Sequence, residues 1–261
     1  MDASAVASAP GPGSVPGPDS VPGSSGPPLL TCYDDATGER SELSAVALGA
    51  WAARTAALLR DGCGLSAGDR AAVLLPPHWQ TAAVLLGAWS IGVSVSIRLS
   101  ATAGLPEVGP GADEPLDVVF AARGRIDDWL EDVPLGRHRF ALDVGAKSAP
   151  GAPPPAGYRS FLTEASRYAS AAPAYALVRA GDAATVDGTS YAEWGSLALA
   201  IAEAQDITAG DRVLIDAGQH EHPSTWLLAP LAVGASVVLC VNMDPDLLDV
   251  RVDTENVTRV L

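Results

Sequence analysis

Apolar and polar positions follow the same order in two parts of the chain. In each part, apolar residues at helical spacing precede a turn that ends in Gly-Asp-Arg, and a short apolar strand, a second helix and another strand come next. The predicted strands are 71–75 and 93–97 in the first part, and 213–216 and 236–241 in the second. Each is a continuous apolar run, which is typical of parallel strands covered on both faces. The pattern therefore predicts an α/β protein.

The two parts are also related in sequence. Windows 67–95 and 209–237 share ten identical residues at a constant spacing of 142 positions. The order helix, strand, helix, strand implies right-handed crossover connections within each part. We therefore expect two pseudo-repeated, mostly parallel βαβ subdomains, each a sheet with helices packed around it. The Gly-Asp-Arg turn is expected to be structural, because glycine closes the turn and the charged pair flanks the entry to a buried strand.

Composition divides the chain into three regions. Residues 1–28 consist mainly of Pro, Gly, Ser and Ala and cannot bury enough apolar surface to fold, so we expect a disordered tail. The first α/β subdomain is expected over 29–150 and the second over 151–261. Between the repeated parts, the pattern adds three strands at 116–122, 138–144 and 175–178, a short helix at 125–133 and a turn-rich connector at 148–158.

The charge of the chain limits its partners. Sixteen Lys and Arg residues against 31 Asp and Glu residues give a net charge of −15. A surface that follows nucleic-acid phosphates or an anionic membrane needs clustered positive charge, so we expect neither partner. Two uncharged stretches, 71–97 and 223–243, contain Pro and polar residues, and we interpret each as a loop, a helix and a strand in series rather than a membrane span.

The cysteines and the first residues indicate a cytoplasmic protein. Cys32, Cys63 and Cys240 lie far apart and form no Cys-x-x-Cys pair, so three reduced thiols are expected. The N-terminal region has no basic segment followed by an apolar one, as a secretion signal would have.

The repeated segments resemble a known group of enzymes. The segments LSAGDRAAVLLP and ITAGDRVLI, the latter followed by LLAPLAVGASVVL, are similar in order and spacing to the N-terminal half of the adenylate-forming superfamily: acyl-CoA synthetases, luciferases and peptide-synthetase adenylation domains. The resemblance covers roughly residues 31–261. The combination of TCYDDATGERSELS, PPHWQT and LGAW further resembles an uncharacterised actinobacterial group of stand-alone, shortened relatives.

The resemblance also implies a phosphate-binding loop, and this chain departs from it. In the family, a Ser/Thr/Gly-rich loop with a lysine cradles the ATP phosphates. The matching segment here, RAGDAATVDGTSYAEW at 179–194, has no lysine, and its Asp182 and Asp187 would repel a triphosphate. Lys147 matches no family lysine, and we expect the third subdomain and C-terminal domain to be lacking. We therefore expect no catalytic residue and no cofactor, with ATP or AMP binding unsupported by a motif.

Two histidines occupy equivalent positions of the repeat. His78 and His220 each follow a predicted strand, and the carboxyl ends of strands are where α/β proteins place ligands. The resemblance implies that a histidine near the second position lines the acyl and adenylate pocket, with His222 as the alternative to His220. The structural interpretation is that these side chains cap or hydrogen-bond the loop backbone. His220 and His222 could supply half of a metal site, but no third ligand follows at suitable spacing, so we expect no metal.

The remaining candidate pocket residues lie in the segment that replaces the phosphate loop. Arg179 could serve as an isolated phosphate contact, and Thr189 and Ser190 supply hydroxyl groups. Ser190 followed by Glu193 also matches a capping box, which predicts the start of a helix. We expect any pocket to lie among loops 76–80, 179–190 and 217–223.

Two hypotheses for function follow. The first is a degenerate relative of adenylate-forming enzymes that acts as a non-catalytic binding or regulatory module. The second is an enzyme that keeps residual acyl or nucleotide chemistry or is completed by a separate protein. In both cases we expect an apolar face where the family's third subdomain would pack, covered by a protein partner or by a second copy of the chain.

Overall fold

The computed structural model describes residues 27–103, 105, 115–126, 132–145, 151–172 and 176–261. These residues form two five-stranded sheets with helices around them, which confirms the predicted α/β class. The strands are β1 (Pro28–Asp34), β2 (Glu39–Ser44), β3 (Arg70–Leu74), β4 (Ser94–Ile97), β5 (Leu116–Ala122), β6 (Gly136–Leu142), β7 (Arg159–Ser160), β8 (Arg212–Asp216), β9 (Ser236–Val241) and β10 (Arg259–Val260).

Seven α-helices lie in the described part of the chain. They are α1 (Ala45–Ala57), α2 (Trp79–Ser90), α3 (Arg123–Ile126), α4 (Phe161–Ser166), α5 (Tyr191–Ala204), α6 (Ala229–Val233) and α7 (Leu248–Thr254). A π-helical turn, Leu58–Gly62, extends α1, and another, Ser224–Leu228, precedes α6; Ser100–Thr102 and Pro245–Leu247 are 3₁₀ turns.

The strands of the two sheets are almost all parallel. The first sheet has the order β4-β3-β5-β6-β7, and every pair in it is parallel. The second has the order β10-β8-β9-β1-β2, in which only the β1–β2 hairpin is antiparallel. This arrangement confirms the expectation of two mostly parallel sheets.

The sheets cut across the expected boundary at residue 150. Strands β1 and β2 come before the first repeated unit in the sequence, yet β1 pairs in parallel with β9 of the second unit, with Leu30 opposite Val237. Strand β7 comes after residue 150 and pairs with β6 of the first sheet. Hydrophobic periodicity predicts where strands lie but not which strands pair. The pairing of strands that are far apart in the sequence therefore places β1 and β2 in the second sheet and β7 in the first.

The sequence repeat reappears in the strand register. Arg70 of β3 pairs with Ser94 of β4, and Arg212 of β8 pairs with Ser236 of β9, so both pairs keep the spacing of 142 positions. The turns that enter β3 and β8 carry matching backbone hydrogen bonds. The Gly68 amide donates to the Gly92 carbonyl at 2.9 Å, and the amide at the equivalent position 210 donates to the carbonyl of residue 234 at 3.2 Å.

The Gly-Asp-Arg turns are structural, as expected. The Asp69 carboxylate accepts a hydrogen bond from the Ser66 amide at 2.7 Å, and the Asp211 carboxylate accepts one from the Thr208 amide at the same distance. The glycine before each aspartate has a positive φ, +93° at Gly68 and +86° at the second turn, which an L side chain adopts rarely. Each aspartate therefore closes the turn between a helix and the following strand.

Three predicted elements differ in the structure. Residues 176–178 of the predicted strand 175–178 pair with no strand; instead the Ala176 amide donates to the Ser90 carbonyl, and residue 175 lies outside the described residues. Of the predicted helix 125–133, only residues 125–126 and 132–133 are described; the first two belong to α3, which already begins at Arg123, and the last two are not helical. Of the predicted tail, residues 1–26 lie outside the described residues, while Pro28 already belongs to β1.

One apolar core joins the two sheets. It includes residues of both sheets together with α1 and α2, and the Trp51 and Trp79 rings lie 5.3 Å apart at its centre. Both indoles are almost fully buried. Among the described residues no helix is long and apolar enough to cross a bilayer, so the uncharged stretches are divided among shorter elements as expected.

A buried ionic network covers the other face of the second sheet. The Glu255 carboxylate, next to α7, accepts hydrogen bonds from the Tyr33 hydroxyl at 2.5 Å, Arg40 at 2.7 Å and Arg212 at 2.5 Å. Arg212 is the arginine of the second Gly-Asp-Arg turn, and it also donates to the Thr31 hydroxyl at 2.8 Å. This arginine therefore ties the repeated turn to β1.

We expect Glu255→Gln to lower the free energy of unfolding by about 3 kcal/mol at pH 7, because removing one partner of a buried ion pair leaves the other uncompensated. Burial acts to raise the pKa of Glu255, but the hydrogen bonds from Tyr33, Arg40 and Arg212 outweigh it and lower the pKa to about 2. The stabilisation is therefore present above the ordinary pKa and is lost as the pH falls toward 2. Urea unfolding across this pH range measures the effect.

The control is Glu42→Gln, which removes an exposed partner of Arg40 and should change the stability by less than about 0.5 kcal/mol. An equal loss in the two variants, or a loss for Glu255→Gln that does not shrink at low pH, would contradict the proposed role of the buried carboxylate.

Candidate functional site

The loop 179–190, which the sequence resemblance matches to a phosphate loop, packs against β4, an edge strand of the first sheet. The Val95 amide of β4 donates to the Ala184 carbonyl at 3.0 Å, and the Ser94 hydroxyl donates to the Ala183 carbonyl at 3.0 Å. From the other side, the Trp89 indole also donates to the Ala184 carbonyl at 3.0 Å. The loop is thus attached to β4 and to the end of α2.

Two aspartates of this loop accept hydrogen bonds from the loop itself. The Asp182 carboxylate accepts from the Arg179 amide at 2.8 Å. The Asp187 carboxylate accepts from the Thr185 hydroxyl at 2.6 Å and from the Thr189 amide at 3.0 Å. Burial acts to raise the pKa of Asp187, but these bonds outweigh it and lower the pKa. These amide and hydroxyl donors are therefore already hydrogen-bonded to the protein's own carboxylates, whereas an anionic ligand would need them for itself.

Most backbone amides of the segment are already in use. Ten of the fourteen amides between residues 179 and 192 donate to acceptors within the protein. A phosphate cradle depends on amides that point at the ligand. In this conformation the loop supports its own fold rather than an open anion site.

The three candidate residues of this loop have different positions. The Arg179 side chain is exposed, whereas the Thr189 carbonyl accepts from the Ala184 amide at 2.9 Å. Ser190 is the N-cap of α5, where its hydroxyl accepts from the Glu193 amide at 3.3 Å and the Glu193 carboxylate accepts from the Ser190 amide at 2.8 Å. This is the predicted capping box, so Ser190 has the structural role.

The histidines pair differently from the gap-free sequence repeat. His78 is the N-cap of α2, and its Nδ1 accepts a hydrogen bond from the Gln80 amide at 3.3 Å. The same bond in the second unit is made by His222, whose Nδ1 accepts from the Ser224 amide at 3.3 Å, although Pro223 is the N-cap of the helical turn there. His222, rather than His220, is therefore the structural counterpart of His78. The second unit has a longer loop before its helix and a shorter helix. The strands therefore keep their spacing, while the histidine that bonds the start of the helix lies two positions later than the repeat predicts.

His220 and Glu221 belong to the loop after β8. The His220 amide donates to the Asp216 carbonyl at 3.0 Å. The Glu221 carboxylate accepts from the Ser100 amide and, at 3.1 Å, from the Ala101 amide, which joins this loop to the segment after β4. In the described part of the chain, no three His, Cys, Asp or Glu residues group in a way that could hold a metal ion.

Burial acts on the pKa values of both histidines, His78 and His222, in the same direction. Burial lowers the pKa of His78 to about 4 and also lowers that of His222. His78 lines a small pocket of mixed character at the carboxyl ends of strands from both sheets, together with polar residues such as Asp34 and Glu39 and apolar residues such as Cys32 and Val144. Its volume of about 20 Å³ is enough for one water molecule. The His222 ring instead stacks on Trp194, with centroids 5.5 Å apart and planes 4° apart.

A larger apolar slot lies between α2, α5 and α6. Its volume is about 360 Å³, and its walls include Trp89 of α2, Tyr191, Trp194 and Gly195 of α5, and Leu231 of α6. Sequence analysis missed these residues, because aromatic side chains on apolar helices indicate packing as readily as a cavity. The slot touches the predicted loop 179–190 at residue 184, but none of the predicted site residues lines it. His78 lines the smaller pocket, and the other predicted residues line neither cavity, so the structure does not bring them together in one site.

Known structures with this arrangement are parts of acyl-activating enzymes. The chain superposes on an acyl-CoA synthetase from Brucella canis with a TM-score of 0.64 and 18% identity, over 89% of this chain and 44% of that one. It superposes on the N-terminal domain of FACL13 from Mycobacterium tuberculosis with a TM-score of 0.58 and 20% identity, over 89% and 58%. A fatty acyl-adenylate ligase from L. pneumophila, solved with acyl adenylate and pyrophosphate, gives a TM-score of 0.58 at 14% identity, over 90% and 41%.

The fold is therefore that of the N-terminal part of adenylate-forming enzymes, as the sequence resemblance implied. The chain spans about half the length of these solved proteins. No protein-family model matches the chain. A TIGR03089 family protein from Mycobacterium tuberculosis is 38% identical over 239 residues, which cover 90% of this chain and 91% of that protein. The chain belongs to this family.

We expect the buried neutral His78 to make stability fall as the pH drops from its ordinary pKa of 6.5 toward 4. In this window the unfolded chain takes up a proton that the folded chain does not, and unfolding is favoured. His78→Asn keeps a side-chain acceptor for the N-cap but does not titrate. Unfolding curves should therefore show a shallower fall for this variant than for the wild type.

His220→Asn is the matched control, because it changes a histidine that caps no helix and should keep the wild-type fall. If His78→Asn and the wild type lose stability in parallel between pH 6.5 and 4, the titration lies elsewhere.

Proposed function

We propose that the protein is a non-catalytic binding module on the scaffold of an acyl-CoA synthetase N-terminal domain. The observation that supports this proposal is the closed loop 179–190, whose amides and hydroxyls donate to the protein's own carboxylates and carbonyls. The proposal includes the cytoplasmic location expected from the sequence, and the three free, buried cysteines agree with a reducing compartment.

Electrostatics opposes ATP at this loop. Two like charges about 4 Å apart repel by about 4 kcal/mol at the effective dielectric near a protein surface. Asp182 and Asp187 would each face the phosphates of a bound triphosphate, while the loop carries one cationic side chain, Arg179. To bind ATP, the loop would also have to give up hydrogen bonds that attach it to β4. Adenylation needs the opposite arrangement, with donors and cations set in advance around the phosphoryl oxygens.

A second candidate function is an adenylate-forming enzyme that a partner completes. One observation favours it: Leu247, Val250 and Val260, in the last fifteen residues of the chain, expose 41%, 62% and 47% of their surface, and β10, which contains Val260, pairs only with β8 among the described strands. Exposed apolar side chains beside an unpaired strand edge are typical of surfaces that another chain covers. A second copy of the chain would cover the same edge without supplying the parts that an enzyme needs.

We expect the purified chain to catalyse no exchange of pyrophosphate into ATP above background with a panel of carboxylic acids, because the loop offers no phosphate cradle. An intact acyl-CoA synthetase in the same assay serves as the positive control. ATP should also leave the melting temperature unchanged, since a ligand that does not bind cannot stabilise the fold. Exchange above background in the isolated chain would overturn the non-catalytic assignment.

If a second copy covers the β10 edge, the chain should sediment as a dimer, and Val250→Glu should shift it toward the monomer. Val46→Glu is the matched control, because Val46 is 60% exposed on α1, in a different part of the fold. Sedimentation velocity over a concentration series measures both. A monomer at every concentration, or equal dissociation in the two variants, would contradict self-association through this edge.

A further inference from the structure

We propose that the slot between α2, α5 and α6 is a binding site for a small, uncharged aromatic molecule. This deepens the proposed binding role and rests on it, because it names where the module binds and which class of ligand it takes. Three observations carry it: the chemistry of the walls, the volume and a glycine on α5.

The walls of the slot offer carbon surface and almost no free polar atoms. The Trp89 indole donates to the Ala184 carbonyl at 3.0 Å, and the Trp194 indole donates to the Thr185 hydroxyl at 3.2 Å. The Tyr191 hydroxyl donates to the Trp89 carbonyl at 3.1 Å. An occupant would therefore gain no hydrogen bond from these rings, and a charged occupant would lose hydration without compensation.

Tyrosine is the only titratable residue type in the walls, and it stays neutral. Burial raises the pKa of Tyr191 to about 12. Flat ring faces and aliphatic side chains thus make up the lining, and aromatic rings pair favourably with one another in offset or tilted geometry. An uncharged aromatic molecule suits this lining better than an anion or a cation.

The size of the slot fits a small molecule. Ligand pockets usually have volumes of about 300–1,000 Å³, and an apolar cavity of about 150 Å³ in another protein is enough for benzene. The volume here is about 360 Å³. A molecule with two or three fused or linked rings would fill it.

Gly195 enlarges the slot, although neither the backbone conformation nor a close neighbour requires a glycine at this position. A glycine inside a helix costs about 1 kcal/mol relative to alanine. Residues Tyr191, Gly195 and Ala198 lie on one face of α5 at helical spacing and all line the slot. A Cβ atom at residue 195 would meet nothing within 4 Å. The missing side chain therefore leaves space that the surrounding structure does not fill.

The slot is too small for a stable protein interface. Such an interface uses about 20–30 residues on each side, whereas ten residues line the slot.

The test uses N-phenyl-1-naphthylamine, an uncharged aromatic probe whose fluorescence rises in apolar surroundings. We expect saturable binding of one probe per full-length chain, with energy transfer from tryptophan. Gly195→Phe should fill the slot and weaken binding by at least about tenfold, which corresponds to about 1.4 kcal/mol. A naphthalenesulfonate should compete at least about tenfold more weakly than naphthalene, because its charge would be desolvated.

Two variants serve as controls. Gly49→Phe makes the same substitution in α1, where a Cβ also meets nothing within 4 Å, and should keep the wild-type affinity. Gly195→Ala should raise the melting temperature through helix propensity and keep binding, which shows that position 195 tolerates a side chain. Circular dichroism verifies that each variant is folded.

Three results would overturn the proposal. They are binding that does not saturate, equal affinity in Gly195→Phe and the wild type, and competition between the probe and self-association of the chain, which would make the slot a protein interface. The pyrophosphate exchange assay has a separate outcome: exchange with intact probe binding rejects the non-catalytic role alone, and lost probe binding without exchange rejects the slot alone.

Discussion

Parallel strand pairing is the constraint on which this structure depends. Parallel strands that follow one another in the chain must be joined by a crossover that returns the chain to the same end of the sheet. The chain does this twice with one device: a glycine amide bonded across to a second glycine carbonyl, and an aspartate that closes the turn before the strand. Because both turns set the register of the strands that follow them, equivalent strand pairs of the two units, Arg70 with Ser94 and Arg212 with Ser236, lie at a constant spacing of 142 positions.

The second unit carries additional long-range contacts. Arg212, which follows one of these aspartates, donates to Glu255 and Thr31 and so connects the repeated turn to β1 and to the region of α7. The first unit instead joins the loop 179–190 through β4. The attachment of this loop has two effects. It uses the amides that an anion would require, and it places the capped end of α5 so that its aromatic residues face α2 and α6 across a slot.

Sequence reasoning reached part of the site and missed the rest for identifiable reasons. Asp182 and Asp187 were recognised as unfavourable for a triphosphate, and the structure adds that both accept hydrogen bonds from their own loop. The gap-free repeat paired His78 with His220, although His222 makes the hydrogen bond that corresponds to that of His78. The second unit has a longer loop and a shorter helix, and the two differences cancel, so the spacing of the strands is unchanged. An alignment of the repeat without gaps cannot detect such a shift when the spacing of the strands on both sides is unchanged.

The sequence by itself determined the features that depend on neighbouring residues: the buried strands, the Gly-Asp-Arg turns, the repeat and the capping box that begins α5. Tertiary structure decided what depends on residues far apart in the chain. It brought β1 beside β9 and β7 beside β6, left residues 176–178 without a strand partner, placed His78 in a small pocket and formed an apolar slot that none of the predicted site residues lines. Local patterns report the propensity and burial of neighbouring residues. Strand pairing and cavities arise when elements that are far apart in the sequence pack together, and local patterns do not encode which elements do so.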